Sequence, residues 1–226
     1  MAQDSPKISG SVGDSLDMAV SYGWKSAYGF LVVTLVSYAL GAMFFIEGGI
    51  YGPLSDAAAL LVGLFMLPLV WVVHLLTREH DWSRETMWLG IGSVALVSVG
   101  SFGLLVGDLL SLGVVVGGFL GLQFLGIVLE GVWLLAVGVL GLRTLAVPRS
   151  VSLAALAAGL GYAGGIVTLS ATYALSLSVG NPVFLLAATL AFGGIVAWSV
   201  LLGRYLRSRD RRMRRTAGFG TGQSGL

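Results

Sequence analysis

Six long apolar stretches set the strongest limit on what this chain can fold into. Each reaches the ~20 residues that a helix needs to cross the ~30 Å hydrocarbon layer of a bilayer. Turn-forming or charged residues separate the stretches, which indicates antiparallel helices joined by short loops. The sequence therefore predicts six transmembrane spans, at Trp24–Ile46, Asp56–Leu76, Met87–Gly107, Gly117–Leu142, Val151–Leu175 and Val183–Arg204.

The composition agrees with a membrane protein. Hydrophobic residues make up 56% of the 226 residues and charged residues 11%, whereas soluble domains carry roughly 25% charged residues. Cysteine is absent from the sequence, which excludes disulfides, thiolate catalysis and Cys-based metal sites. We expect an all-α, polytopic transmembrane helix bundle over residues 24–204, after a polar segment at 1–23 and before a basic and then disordered tail at 205–226.

The basic residues predict how the bundle is oriented. In the six-span arrangement all 13 Lys and Arg residues lie in the two terminal segments and the second and fourth loops, and the other three loops have none. Cytoplasmic loops are enriched in Lys and Arg, so this pattern places both termini in the cytoplasm and the protein in the cytoplasmic (inner) membrane. Five of the six tryptophans, including Trp198, also lie near these ends, where we expect their indoles in the membrane interface.

Glycine is the expected packing residue. Pairs spaced as G-x-x-x-G occur at Gly103 and Gly107, Gly117 and Gly121, and Gly161 and Gly165. Such faces let helices approach closely in lipid. We expect them to serve mainly contacts within the chain; the alternative is a homo-oligomer or a membrane partner.

A segment of the fourth and fifth spans resembles a known family. Residues 130–165 combine an apolar helix with a glycine near its end, a basic residue, a Pro-Arg loop and a Gly-x-Gly-Tyr step; these are Gly138, Arg143, Pro148, Arg149, Gly159, Gly161 and Tyr162. In this pattern the segment resembles an uncharacterised bacterial and archaeal family of multi-span membrane proteins, a domain of unknown function. The resemblance implies a bundle of six or seven helices and no particular activity.

Several chemistries lack their residues. The histidines are His74, near the end of a span, and His80 in a loop, which is too few for a haem or metal centre. Both lysines precede or begin the first span, so no lysine is placed to bind retinal. No nucleophile shares a depth with a histidine base, and phosphate-binding glycine motifs are missing. We expect no enzyme activity, no cofactor, no metal and no nucleic-acid partner.

Glu130 is the candidate polar site inside the membrane. It lies about 20 Å along the helix from Arg143, close to the bilayer middle. Gln123, Gly126 and Trp133 share its helical face, which should point into the bundle. An ionised carboxylate at this depth is costly, so we expect a neutral group. One hypothesis is a structural carboxyl bonded to a Ser, Thr or Tyr of a neighbouring helix; the others are a proton- or cation-coupled site and a ligand contact.

The carboxyl-terminal arginines are the second candidate. Their simplest interpretation is a stop-transfer and orientation signal. The alternative is contact with anionic lipid headgroups, because each basic residue near a negative leaflet contributes about 1 kcal/mol. The residues concerned are Arg207, Arg209, Arg211, Arg212, Arg214 and Arg215.

Two functions follow from the sequence. The favoured one is a non-catalytic membrane module that acts through helix packing with a partner or lipid. The alternative is a small proton- or cation-coupled transporter or permeation pathway that uses Glu130 and Gln123. A cavity that reaches Glu130 from one side would favour the alternative.

The predicted orientation can be tested by labelling single cysteines, because the natural chain has none. An impermeant thiol reagent should label a cysteine at Asn181 in intact cells, and should label one at Arg149 only after lysis, since the two positions lie in loops on opposite sides. If the cysteine at Asn181 were labelled only after lysis, the predicted orientation would be wrong.

Overall fold

The protein folds into six long helices, which a computed structural model describes for residues 9–110, 116–175 and 182–220. They are α1 (Ser9–Glu47), α2 (Tyr51–Thr77), α3 (Ser83–Leu109), α4 (Val116–Thr144), α5 (Arg149–Leu175) and α6 (Pro182–Gly220). Each predicted span lies inside one of these helices, which confirms the all-helical fold.

Five of the helices are long and apolar enough to cross a membrane. The qualifying segments are Ser15–Phe44, Tyr51–Thr77, Ser83–Leu109, Gly117–Thr144 and Leu185–Arg215, which belong to α1, α2, α3, α4 and α6. A helix is suited to the lipid bilayer because it satisfies all backbone hydrogen bonds within one segment. The chain is therefore a transmembrane helical protein.

The helices form a ring in the order of the chain. Each packs against its neighbours in sequence, and α1 packs against α6 to close the ring. Helices α2 and α4, which are not neighbours in the ring, also make a few backbone contacts across it. We call the end where α1 begins and α6 ends the terminal end; it also carries the α2–α3 and α4–α5 turns, because Arg143 stacks over Trp82 and Tyr205 bonds to Ala146 there.

Local chemistry fixes the turns. Gly48 and Gly49 have φ angles of 69° and 65°, a conformation that glycine adopts without steric cost, and they reverse the chain between α1 and α2. At the terminal end, His74 Nδ1 lies 2.9 Å from Ser83 Oγ, and Ser83 Oγ lies 3.0 Å from Thr77 Oγ1. These bonds join the end of α2 to the start of α3, so the polar groups of this turn are satisfied.

Glycines set how closely neighbouring helices approach. A side chain at Gly159 of α5 would meet the Gly131 carbonyl oxygen at 2.7 Å and the Leu135 nitrogen at 2.8 Å, so α4 and α5 touch backbone to backbone. Gly194 of α6 lies against the backbone of Ala158 on α5. Such contacts replace the hydrophobic drive that lipid does not provide. At these positions the glycines serve packing within the chain.

The ring interior is densely filled toward the terminal end. The ring planes of Trp133 and Trp198 meet at 87°, with their centroids 5.7 Å apart, and Phe30 packs edge-on against Trp198 at 6.1 Å. All three side chains are at most 1% exposed. The prediction of an interfacial position is wrong for Trp198, because helical spacing turns its indole toward the ring interior. Trp71, Trp82 and Trp88 are exposed at this end.

Both end helices extend beyond the predicted spans. Helix α1 already begins at Ser9, inside the segment predicted to be polar, and α6 continues to Gly220, although the sequence predicts disorder from Thr216. The positions 221–226 of that predicted tail lie outside the described residues. The two extensions pack together, because Arg214 of α6 bonds to Ser21 Oγ of α1 at 3.3 Å.

Gly194 and its neighbour Gly193 form a matched pair for testing glycine packing. Ala at Gly194 should lower the free energy of unfolding by about 1–3 kcal/mol, because its methyl group would push against the α5 backbone. Ala at Gly193, where a methyl group would meet nothing within 4 Å, should be neutral or slightly stabilising because alanine favours the helix. Thermal unfolding in detergent measures both; equal melting temperatures would contradict the close contact.

Candidate functional site

A cavity of about 440 Å³ lies inside the ring, with walls from α1, α2, α3, α4 and α5. It extends from the middle of the bundle, at Thr34 and Glu130, toward the α1–α2 turn, at Gly41 and Ser55. Toward the terminal end the cluster of Phe30, Trp133 and Trp198 fills the ring interior. The cavity thus lies in the half of the bundle away from the terminal end.

Glu130 and Gln123 both line this cavity, as their shared helical face predicted. Trp133, the third residue of the predicted polar site, does not; it packs against Trp198 on the terminal side. Trp133 lies nearly one turn beyond Glu130, which is enough to place it in the filled half of the ring. The structure therefore brings together two of the three predicted residues.

The Glu130 carboxyl is buried without a partner in the described residues. Its residue is 6% exposed, and no hydrogen bond or ion pair of the described chain reaches it. The structural hypothesis requires a bond to a neighbouring hydroxyl, which these residues do not supply. A buried carboxyl with no such bond is available to a proton, a cation or a ligand donor.

Gln123 joins three helices. Its Nε2 donates to Asp56 Oδ1 on α2 at 3.2 Å and to Ser101 Oγ on α3 at 2.9 Å. Gly100 makes this possible, because a side chain there would lie 2.8 Å from the Gln123 Cα. Since both amide hydrogens are used, the Oε1 atom remains as an acceptor.

Asp56 is a residue that the sequence did not assign to the site. The hydropathy pattern places it at the start of the second span, where an acid is unremarkable. In the structure Asp56 accepts a hydrogen bond from Gln123, which lines the cavity. A polar residue on each of two apolar helices at the same depth is the pattern that could have predicted this contact.

Two tyrosines bridge helices whose backbones do not meet within the described residues. The hydroxyls of Tyr38 on α1 and Tyr162 on α5 are hydrogen-bonded to each other, and both side chains line the cavity. In the described residues the backbones of α1 and α5 make no contact. Gly131 permits the position of Tyr162, because a side chain at Gly131 would lie 2.8 Å from the Tyr162 Cβ.

Further hydroxyls complete the polar wall. Ser37 and Ser55 each donate to the other's carbonyl oxygen, at 3.3 and 3.2 Å, and so tie α1 to α2. Thr34 is 5% exposed, and its Oγ1 has no partner in the described residues although it lines the cavity. Gly41 and alanine, valine and isoleucine side chains form the remaining wall.

The lining residues of the cavity include no Lys, Arg or His. Among the residues that the structure describes, no three His, Asp or Glu side chains lie close enough to hold a metal ion. The cavity therefore offers one carboxyl group, hydroxyls and an amide oxygen. The hydroxyls can donate or accept hydrogen bonds, the amide oxygen accepts them, and the carboxyl would favour positive charge in its ionised form.

The candidate lipid contacts on the tail differ in their surroundings. The guanidinium of Arg207 lies 5.5 Å from the centroid of the Trp24 ring. Arg209 donates to the Tyr205 hydroxyl, and Arg214 pairs with the buried Asp210 at 3.2 Å.

The remaining arginines, Arg211, Arg212 and Arg215, are exposed on the surface of α6. Arg212 donates to the Ser208 carbonyl oxygen one turn earlier. Part of the tail therefore holds α6 in place, and part faces outward.

No protein-family model, curated protein or solved structure matches the chain. The resemblance of residues 130–165 to an uncharacterised family stays a prediction. In the structure these residues are the α4–α5 pair, which carries Glu130 and Tyr162 and packs through Gly131 and Gly159.

The bonds of Gln123 predict a measurable contribution to stability. Gln123→Leu should lower the free energy of unfolding by about 1–3 kcal/mol, because it leaves Asp56 and Ser101 without their donor. Phe124→Leu, at the next position, is the control: Phe124 is 42% exposed, so its replacement should change little. Thermal unfolding in detergent measures both variants. Equal melting temperatures would contradict the hydrogen bonds from Gln123 to Asp56 and Ser101.

Proposed function

We propose that the protein is a small proton- or cation-coupled transporter or permeation pathway of the cytoplasmic membrane, with Glu130 as its coupling residue. The observation that carries the proposal is a buried carboxyl, without a protein partner in the described residues, on the wall of a cavity in the ring. The sequence alone favoured a structural role for this acid. The cavity changes that preference.

The position of Glu130 supports a role in coupling. Ionisable residues within membrane segments are costly, and they commonly mark ion pathways and proton relays. Two phenols, Tyr38 and Tyr162, line the same cavity as this carboxyl. A proton or cation that enters from the cavity side would thus meet Glu130 at its inner limit, directly before the aromatic cluster of Trp133 and Trp198.

We also propose that all six helices cross the membrane, with both termini in the cytoplasm. Helix α5 is 27 residues long, as are α2 and α3, and it packs along both α4 and α6. Its first residue, Arg149, lies with the other basic residues at the terminal end. The concentration of positive charge at that end supports its cytoplasmic assignment. The cavity would then face the outside.

The second candidate is a non-catalytic module that binds a membrane partner, a second copy or anionic lipid. Its support is that side chains placed at Gly117, Gly118 and Gly121, at the start of α4, would meet nothing within 4 Å. These exposed glycines could receive another helix. The outward-facing arginines of α6 would serve the lipid contact. This candidate requires no movement of protons or cations.

Flux through the protein reconstituted in lipid vesicles distinguishes the two. The transporter predicts proton or cation flux that depends on pH, is abolished in Glu130→Gln and is partly retained in Glu130→Asp, because only the carboxyl groups can bind and release the proton. The Gln variant should still fold, since it keeps a neutral polar head of nearly the same volume.

The control is Glu47→Gln, which changes an exposed acid near the α1–α2 turn that does not line the cavity. Its flux should match that of the natural protein. If the vesicles show no flux above the lipid background, the non-catalytic module is the better-supported function. If flux is unchanged in Glu130→Gln, Glu130 is not part of the pathway.

A further inference from the structure

We infer that the cavity binds a small organic cation, of the protonated-amine class, with its ammonium group at Glu130. The inference rests on the proposed function and specifies the solute that this same site would take. Three features of the cavity support it: its size, its charge and its aromatic wall.

The size of the cavity suits an organic solute better than a bare ion. Sites for small molecules usually measure about 300–1,000 Å³ and are mostly apolar with a few polar groups. The present cavity measures about 440 Å³. Ala42, Ala59, Val62 and Ile127 supply apolar wall, which offers nothing to a hydrated metal ion but would bury the carbon atoms of an amine.

The polar groups of the cavity suit a positively charged hydrogen-bond donor. Glu130 supplies the one carboxyl group of the wall, and Gln123, whose amide oxygen is left unused by its own hydrogen bonds, lies on the same wall. Thr34 also lines the cavity, and its fully buried hydroxyl has no partner in the described residues. An ammonium group carries up to three N–H donors and a positive charge, so it would pair with the Glu130 carboxylate on a wall whose lining residues include no basic side chain to repel it.

The two tyrosines add an aromatic wall. The faces of aromatic rings attract organic cations, an interaction that grows stronger away from water. The bond between the hydroxyls of Tyr38 and Tyr162 fixes both side chains beside the cavity. A metal ion would instead need several convergent oxygen ligands, and the described residues supply no group of three acidic or histidine side chains.

Binding to the purified full-length protein in detergent tests this inference. The probes are the protonated amine n-butylammonium and, as a cation without N–H donors, tetraethylammonium; n-butanol and KCl are the controls, all at constant ionic strength. Saturable stabilisation against heat, with a matching change in tryptophan fluorescence, should appear with n-butylammonium, more weakly with tetraethylammonium, and with neither control. Equal effects of butanol and butylammonium would overturn the inference, because the cavity would then be binding apolar chains only.

Variants of Glu130 and Tyr162, with Glu47→Gln as the control, locate the bound probe. Glu130→Gln should weaken ammonium binding on the order of tenfold to a hundredfold, the effect of losing a hydrogen bond to a charged group. Tyr162→Leu should weaken it more than Tyr162→Phe, which keeps the ring. Glu47→Gln should bind as the natural protein does. If Glu130→Gln does not fold, Glu130→Asp provides the comparison, and unchanged affinity in a folded Glu130 variant would overturn the inference.

Binding and flux separate this inference from the proposed function. Proton or alkali-cation flux that depends on Glu130, without any binding of the ammonium probes, would reject the organic cation and retain the pathway. Saturable ammonium binding that depends on Glu130, in vesicles that show no flux, would retain the site and reject transport. Failure of both measurements would reject both.

Discussion

In lipid, two apolar helices gain little by hiding their side chains from a solvent that is equally apolar, so close packing and hydrogen bonds between helices hold them together. In this protein the contact is made at glycine. Gly159 lies on Gly131, and Gly194 lies on Ala158, so that α4, α5 and α6 touch along their backbones. Inside the ring, large side chains fill the half toward the terminal end, and polar side chains line the cavity in the other half.

The two halves of the ring interior therefore have different properties. Toward the terminal end, Phe30, Trp133 and Trp198 occupy the interior and exclude water by bulk. Toward the other end, Gly41, Ala42 and Ala59 leave room that hydroxyl, amide and carboxyl groups border. Glu130 lies where the two halves meet. A carboxyl in that position has polar space on one side and a packed aromatic cluster on the other, and the proposed coupling role depends on this asymmetry.

The sequence predicted the helices well because their length and apolar character follow from the thickness of the bilayer, a property of each segment alone. Helical periodicity also predicted that Glu130 and Gln123 would face inward together. It could not identify Asp56, Tyr38 and Tyr162, which come from three other helices, because spacing within one helix does not show which residue of another helix lies opposite. Trp133 and Trp198 show the same limit. Whether an indole faces the interface or the ring interior depends on the rotation of the helix, which only its packing against neighbours determines.

Helix α6 has a mechanical consequence for the molecule. It continues without a break from Ala191, where it meets Gly161 of α5, to Arg214, which is bonded to α1. At 1.5 Å per residue this distance is about 35 Å, so a tilt of a few degrees at the level of the cavity would displace the far end by roughly 2 Å. The helix thus connects the level of the cavity to the terminal end without a break. A rearrangement at the cavity that tilted α6 would move its basic surface and disturb the bond from Arg214 to Ser21, and a spectroscopic label placed there would report it.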